Sequence, residues 1–311
     1  MGSRDPFTEE LLSLKDQVYF PGTFKVPAGI DKVIIAGMGG SGIVGRLFSE
    51  LYGEKPVMVS SGYTLPEFTD AKTLVICISY SGNTAETVSS FNEAKRQGAA
   101  VVVISSGGIL GAADAEAVIV PKGKSPRSAI GYMLMPLLNA FGAVSEKEKR
   151  EAALLLDTLD GDNSEAEKIA AEIFSGSRMP LVYSTFPNES IAYRWNTQFN
   201  ENSKILSFWG SFPELNHNNT MALKLTYRKN LLYPICLVST TDKRILKRIK
   251  ATEDVTGMKF RRVLKAKGSS PFSRALYLIH LGDYVTYYLA RMRGVDPLDV
   301  STIEELKRAL K

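Results

Sequence analysis

The sequence predicts an α/β protein made of two doubly wound parallel-sheet halves joined by helices. Three observations predict it. The first half alternates β-branched runs with helical patterns: Lys32 to Ala36, Ile43 to Gly53, Lys55 to Ser61, Lys72 to Ser79, Ala85 to Gly98 and Ala99 to Ser106. Strands that read as near-continuous apolar runs between helices belong to a parallel sheet covered on both faces. The same alternation restarts at Met179, after a stretch rich in Ala and Glu, and 311 residues exceed the size at which a single core usually stops growing.

The remaining elements follow in order. Ala117 to Val120 is a further short strand, and Ser128 to Phe141 is an apolar helix expected to break at Pro136. Residues 146–177 have helical periodicity and read as a connector. Met179 to Thr185 begins the second half as a strand, with a helix over 189–204, a strand over Leu231 to Ser239, a helix over Asp242 to Glu253 and a strand over Lys259 to Leu264. Ser270 to Arg293 and Ser301 to Lys311 are terminal helices, the last with Ser301-x-x-Glu304 placed as a capping box. The expected division is a first domain over 1–145, a helical connector over 146–178 and a second domain over 179–311. The architecture is that of a pseudo-duplication, although the identity between the halves is too weak to define a repeat.

Composition narrows the function classes. Hydrophobic content of 44% and charged content of 23% are ordinary for a globular protein. No apolar run approaches the roughly 20 residues needed to span a bilayer, so no membrane association is expected. The N-terminus lacks the apolar core of a signal peptide, Met1-Gly2-Ser3 reads as partly vector-derived, and the cytoplasm is the expected location. Cys77 and Cys236 each sit inside an apolar strand-like run and read as reduced core residues. The net charge of +5 is concentrated between Lys243 and Lys267. With Ile and Leu at helical spacing and little aromatic interleaving, that stretch reads as a solvated helix face followed by an edge strand, and no nucleic-acid partner is expected.

Gly37, Gly39 and Gly42, in Gly37-Met38-Gly39-Gly40-Ser41-Gly42, match the G-x-G-x-x-G of a dinucleotide-binding turn. Such a site needs an acidic residue about 20 positions on to bind the ribose hydroxyls. Here the second strand ends Val59-Ser60-Ser61-Gly62, with no Asp or Glu, and no arginine lies between Arg46 and Arg96 to meet a 2′-phosphate. No nucleotide cofactor is expected. The glycines still allow a tight turn that brings backbone close to a ligand and leaves N–H groups at a helix start for an anion, with Ser41 adding a hydroxyl.

The next strand runs into Ser79-Tyr80-Ser81-Gly82-Asn83-Thr84-Ala85-Glu86-Thr87, a hydroxyl-rich strand-to-helix turn. Hydroxyls and free amides at a helix N-terminus hold a phosphate monoester without a lysine. The alternative is simple capping, with Ser81 or Thr84 as N-cap.

Together, GMGGSG followed by SYSGNTAET resembles the sugar isomerase (SIS) domain signature, whose fold is flavodoxin-like. Two such domains in one chain resemble the small bifunctional phosphoglucose/phosphomannose isomerases. That resemblance implies a cofactor-free and metal-free homodimer that interconverts glucose 6-phosphate, and mannose 6-phosphate too, with fructose 6-phosphate. It implies substrate contacts at Gly39, Gly40, Ser41, Ser79, Ser81 and Thr84. Glu201, in Asn200-Glu201-Asn202, resembles the family's isomerisation base. His217, in Glu214-Leu215-Asn216-His217-Asn218, resembles the histidine that assists ring opening and arrives from the partner subunit. Arg127, after Pro126, resembles the arginine facing the enediol intermediate, and Lys307, in Ile303-Glu304-Glu305-Leu306-Lys307, a lysine that assists ring opening. Lys307 also fits an ordinary exposed last turn, and Arg127 a solvated loop. His280, among apolar residues of a long helix, reads as a core histidine, and Tyr193, Trp195 and Phe199 as core contacts of the Glu201 helix. A phosphosugar-binding regulatory module would keep the hydroxyl loop without needing Glu201 or His217, and an NADP oxidoreductase would use the glycine turn.

Overall fold

All nine strands pair in parallel, in two sheets, in a computed structural model that describes residues 5–309. Met1-Gly2-Ser3 lies outside the described residues. The chain divides into two compact units, residues 12–156 and residues 1–11 with 157–311.

The chain opens with α1 (Pro6–Leu12) and α2 (Leu14–Gln17), and the first sheet follows. Its elements are β1 (Lys32–Ala36), α3 (Gly39–Leu51), β2 (Val57–Ser60), β3 (Thr73–Ile78), α4 (Ala85–Arg96), β4 (Ala100–Ser105), α5 (Gly108–Gly111), β5 (Glu116–Ile119) and α6 (Ile130–Ala140). The strand order β2-β1-β3-β4-β5 is the doubly wound flavodoxin-like order. Every residue of β3 is buried, as a central strand covered on both faces must be. Because the chain leaves β1 toward one side of the sheet and β3 toward the other, a crevice opens at their carboxyl ends. The two ends are in register, with Ala36 opposite Cys77.

Two details depart from the sequence reading. The helix after β1, α3, starts at Gly39 instead of Ile43, because the glycines themselves make its opening turn, with the Ser41 and Gly42 amides on Met38 O at 3.0 and 3.2 Å. Pro136 does not break α6, which runs on to Ala140. The proline costs one ladder bond, but the helix is buried for most of its length and packing outweighs that loss. Its N-terminus is held from outside by Gln17, whose Oε1 accepts from the Gly131 and Tyr132 amides at 2.9 and 3.2 Å.

The division between the units falls within α7 (Glu146–Gly161). Beyond it come α8 (Ser164–Ser175), β6 (Met179–Thr185), α9 (Glu189–Glu201), β7 (Phe208–Phe212), α10 (Leu215–Asn218) and α11 (Thr220–Leu225). A 3-10 turn at Lys229–Leu231 leads to β8 (Leu232–Val238), α12 (Lys243–Thr256), β9 (Arg262–Lys265), α13 (Pro271–Arg293) and α14 (Ser301–Ala309). The strand order β7-β6-β8-β9 repeats the first four positions of the other sheet, so the duplication is visible in topology where it was too weak in sequence. Crossovers to opposite sides of a parallel sheet lie on opposite faces. Leu181, Tyr183, Phe212, Cys236 and Val238 accordingly pack with Leu215, Leu223 and Ile249 from α10, α11 and α12. The other face carries α9 and α13, joined where the buried Trp195 donates its Nε1 to Leu278 O at 2.8 Å.

β7 has no counterpart in the sequence reading. Phe208 and Trp209 are exposed on this edge strand and Gly210-Ser211 interrupt its apolar run, which hides the period-2 signal. β9 begins at Arg262, not Lys259, because the chain must first leave α12 through Gly257, whose φ of +67° closes the helix. Ser301 does not cap α14. The Glu304 amide bonds Val300 O, placing Ser301 inside the helix, and Asp299 Oδ1 receives the Ser301 amide at 2.9 Å instead. A reciprocal capping box does form on α13, between Ser270 and Ser273.

Candidate active site

The crevice at the ends of β1 and β3 holds both motifs singled out in the first half. A Cβ on Gly37 would lie 3.0 Å from Ile78 O, so the glycine turn and the start of the hydroxyl loop touch through their backbones. Within the loop, Ser79 Oγ and Thr84 Oγ1 share a hydrogen bond of 2.9 Å, and the Gly82 amide donates to Ser79 Oγ at 3.1 Å. Gly82 has a φ of +71°, and a Cβ there would stand 1.8 Å from Gly107 O, so no other residue fits. Asn83 Oδ1 accepts the Ile109 amide at 3.0 Å, which fixes the loop to the first turn of α5. Ser79 is buried, while Ser81 is exposed and Thr84 half-buried.

Thr84 occupies the N-cap position of α4 but makes no side-chain capping bond, and neither does Met38 at the start of α3. Two helix N-termini therefore meet this crevice with backbone amides that no side chain covers. That is the electrostatic setting for a phosphate. The second sheet is different at the equivalent place. There Thr185 Oγ1 and Ser239 Oγ lie 3.2 Å apart, and the N-cap of α12 is Asp242, whose carboxylate accepts the Arg244 amide at 2.8 Å.

Gly39 is exposed with a φ of +51°. A Cβ on Gly40 would lie 3.2 Å from Pro126 O and 3.3 Å from Arg127 Cα, so the glycine turn and the arginine segment are in close contact. Arg127 is only 4% exposed, which removes the reading of a solvated loop arginine. Ser41 is buried with its Oγ 3.5 Å from Met133 Sδ. Tyr80, not singled out from the sequence, ties the hydroxyl loop to the segment leading to Arg127. Its hydroxyl donates to Pro121 O at 2.9 Å and receives the Lys124 amide at 3.1 Å.

In the second unit Glu201 is the last residue of α9, and its neighbours are anchored to α13. Asn202 Nδ2 donates to Thr286 Oγ1 at 3.0 Å and Ser203 Oγ to Thr286 O at 2.8 Å, both buried. Two turns and one turn earlier, Arg194 and Gln198 both bond Asp283. The asparagines flanking Glu201 thus have structural duties, Asn200 through its Oδ1 on the Ser207 amide at 3.2 Å. Lys204 Nζ donates to Glu201 O at 2.6 Å and Asp299 O at 2.8 Å, holding the entry to α14 beside Glu201. Asn200, Glu201, Lys204, Ser301 and Thr302 line a cavity of about 380 Å³. Lys204 carried no motif, and its positive φ of 53° is invisible in sequence.

His217 is exposed on α10, on the face of the sheet opposite α9. One chain therefore does not bring Glu201 and His217 together. Lys307 is exposed on α14, a helix with no buried residue. His280 is buried, with Nε2 2.7 Å from Asp160 Oδ1 and Tyr284 donating to the same oxygen. Burial pushes the thiols of Cys77 and Cys236 up to about 12, so neither is a nucleophile near neutral pH.

Comparison with known proteins adds the family. The SIS domain profile matches residues 28–135, and the profile described as bacterial phospho-glucose isomerase C-terminal SIS domain matches residues 162–310. A bifunctional phosphoglucose/phosphomannose isomerase of Thermoplasma acidophilum is 51% identical over 304 residues, covering 98% of this chain and 97% of that protein. Its namesake from Thermoplasma volcanium is 52% identical, covering 98% and 99%. This chain belongs to the bifunctional phosphoglucose/phosphomannose isomerase family. The fold is shared more widely. The C-terminal domain of glucosamine-fructose-6-phosphate aminotransferase from Francisella tularensis superposes with a TM-score of 0.71 at 14% identity, covering 95% of this chain and 98% of that one. In this member of the phosphoglucose/phosphomannose isomerase family, the place of a ribose-binding carboxylate after β2 is taken by Ser61, whose Oγ donates to Gly37 O at 3.1 Å. Among the described residues, no helix is long and apolar enough to cross a membrane.

Proposed function

We propose that the chain is a cofactor-free aldose-ketose isomerase that interconverts glucose 6-phosphate, and mannose 6-phosphate as well, with fructose 6-phosphate. The crevice between β1 and β3 binds the phosphate, through the Ser79–Thr84 loop and the uncovered amides of α3 and α4. Gly39, Gly40 and Ser41 border the sugar. The observation that carries this reading is the hydroxyl loop at the uncapped start of α4, set against the carboxylate that fills the same place on α12.

Glu201 takes the proton from C2 of the open aldose, giving a cis-enediol, and returns it to C1. As the carbonyl moves from C1 to C2, the C2 proton ends on C1 and the O2 hydroxyl proton ends on O1, so the atoms and electrons balance without a co-reactant. Charge on the enediol oxygens is met by the Arg127 guanidinium. His217 and Lys307 move protons during ring opening. Glucose and mannose differ only at C2, the carbon that loses its proton, so rotation about C2–C3 lets one base serve both.

The working form is a homodimer in which His217 comes from a second copy. The separation of Glu201 and His217 across one sheet supports this. A cytoplasmic location belongs to the same proposal and is supported by two buried thiols that form no disulfide.

The test is to incubate the purified protein with fructose 6-phosphate and EDTA and to identify the aldoses formed. Glucose and mannose 6-phosphates are expected, with no change in nicotinamide absorbance. Absence of any aldose overturns the proposal and leaves a phosphosugar-binding module.

A further inference from the structure

The basic stretch between Lys243 and Lys267 is not one surface. Its first part coats α12, but Lys259, Arg261 and Arg262 turn into a cleft of about 900 Å³, where Arg178 and Lys229 join them from distant parts of the chain. The cleft lies at the amino-terminal ends of β6, β8 and β9. Open parallel sheets bind ligands at their carboxyl ends, so it is separate from any switch-point crevice.

Five cations line this cleft against one carboxylate, Glu172. Glu172 is already engaged by Arg262 and by the Tyr233 hydroxyl at 2.7 Å. Arg262 also pairs with Glu165 at 3.2 Å, and Lys259 approaches Asp254 at 3.6 Å. The other three have no ion pair among the described residues. Arg178 and Lys229 are nevertheless held in place. Arg178 donates through Nη1 to Glu172 O at 2.6 Å and through Nε to Asn230 O at 3.3 Å, and Lys229 Nζ donates to Thr256 O at 3.0 Å. Gly176 makes room for the first of them, since a Cβ there would stand 2.5 Å from Arg178 Cζ. Backbone carbonyls fix these groups; Arg178 also feels the Glu172 carboxylate, but five cations against that one carboxylate leave net positive charge preorganised around an open volume.

We propose that this cleft binds a compact polyphosphate anion of the di- or triphosphate class. Cations converge on it from several elements, which suits a ligand carrying several charges in a short span and not one phosphate monoester. Nothing here suits nucleic-acid bases. Phe260, the aromatic residue of the lining, has its ring 6.1 Å from Tyr183 and 6.3 Å from Phe212, within the core of the sheet face. The proposal is independent of the isomerase reading.

The probe is inorganic tripolyphosphate, titrated calorimetrically at low ionic strength into the full chain. One site per chain is expected, and Lys259→Ala with Arg261→Ala, both exposed, should weaken it about tenfold. Lys243→Ala with Lys247→Ala removes the same charge from the outer face of α12 and should change little. Ser81→Ala with Thr84→Ala should also leave this binding intact. Absence of binding to the wild-type chain overturns the proposal. So does an equal loss in the α12 control, a loss in the hydroxyl-loop variant, or no loss in the cleft variant.

Discussion

Arg194 and Asp283 form an ion pair between α9 and α13, with Arg194 Nη2 3.0 and 2.8 Å from the two carboxylate oxygens and both side chains buried. Seven residues separate Arg194 from Glu201, two turns of one helix, so both lie on one stripe of α9. Removing one member of a buried pair leaves the other charge uncompensated. Asp283→Ala should cost about 3–5 kcal/mol of stability, read from guanidinium unfolding, whereas Arg194→Met combined with Asp283→Leu should recover most of it. A double variant as unstable as the single one would show that the pair is not the source of the loss.

Glu201→Gln keeps the size and the helix terminus but not the base. Turnover should fall roughly a thousandfold or more, with sugar-phosphate affinity nearly unchanged. Activity within a few-fold of wild type would remove Glu201 from the chemistry.

The hydroxyl loop should behave in the opposite way. Ser81→Ala and Thr84→Ala each lose a donor to a charged phosphate, worth about 1.5–3 kcal/mol, so KM should rise about tenfold or more while kcat changes less. A fall in kcat at unchanged KM would contradict a phosphate-binding role.

Glu201→Gln and His217→Ala offer a test of the two-copy site. Each variant alone should be nearly inactive. After mixing and exchange of subunits, half the dimers are hybrids and each hybrid has one intact site, so about a quarter of wild-type activity should return. No recovery after demonstrated exchange would place both residues in one chain's site.

At the start of α12, hydrogen bonds from the Arg244 side chain and then from its amide lower Asp242 from 3.8 to about 2. A carboxylate lowered on folding contributes stability that is present above pH 3.8 and is lost as pH falls through about 2. Asp242→Asn should therefore flatten the acid limb of the stability curve within that window, followed by unfolding at a series of pH values. An unchanged limb would mean that other carboxylates control it.

What was legible in the sequence followed from burial. β1, β3 and β4 are covered on both faces, so their apolar runs were visible, and the residues leaving β1 and β3 could be joined into one crevice because doubly wound sheets permit few alternatives. β7 was hidden because it is an edge strand with Phe208 and Trp209 turned outward. The site around Glu201 was only half legible. The asparagine flags were visible, but Thr286, which anchors Asn202, and Asp283, which anchors Gln198 on the same helix, lie more than 80 residues on. Arg178 and Lys229 were equally hidden, since only the fold gathers them beside Arg261. The capping box at Ser301 failed for a local reason, because Asp299 offered the chain a competing turn.

The two sheets share a strand order, yet the first leaves the start of α4 to hydroxyls while the second places its own carboxylate at the start of α12. The consequence is a stoichiometry. An anion approaching the second crevice would meet Asp242 already seated on the helix amides and would be repelled by it. Duplication of the fold therefore did not duplicate the receptor, and sugar phosphate should saturate these crevices at one molecule per chain instead of two.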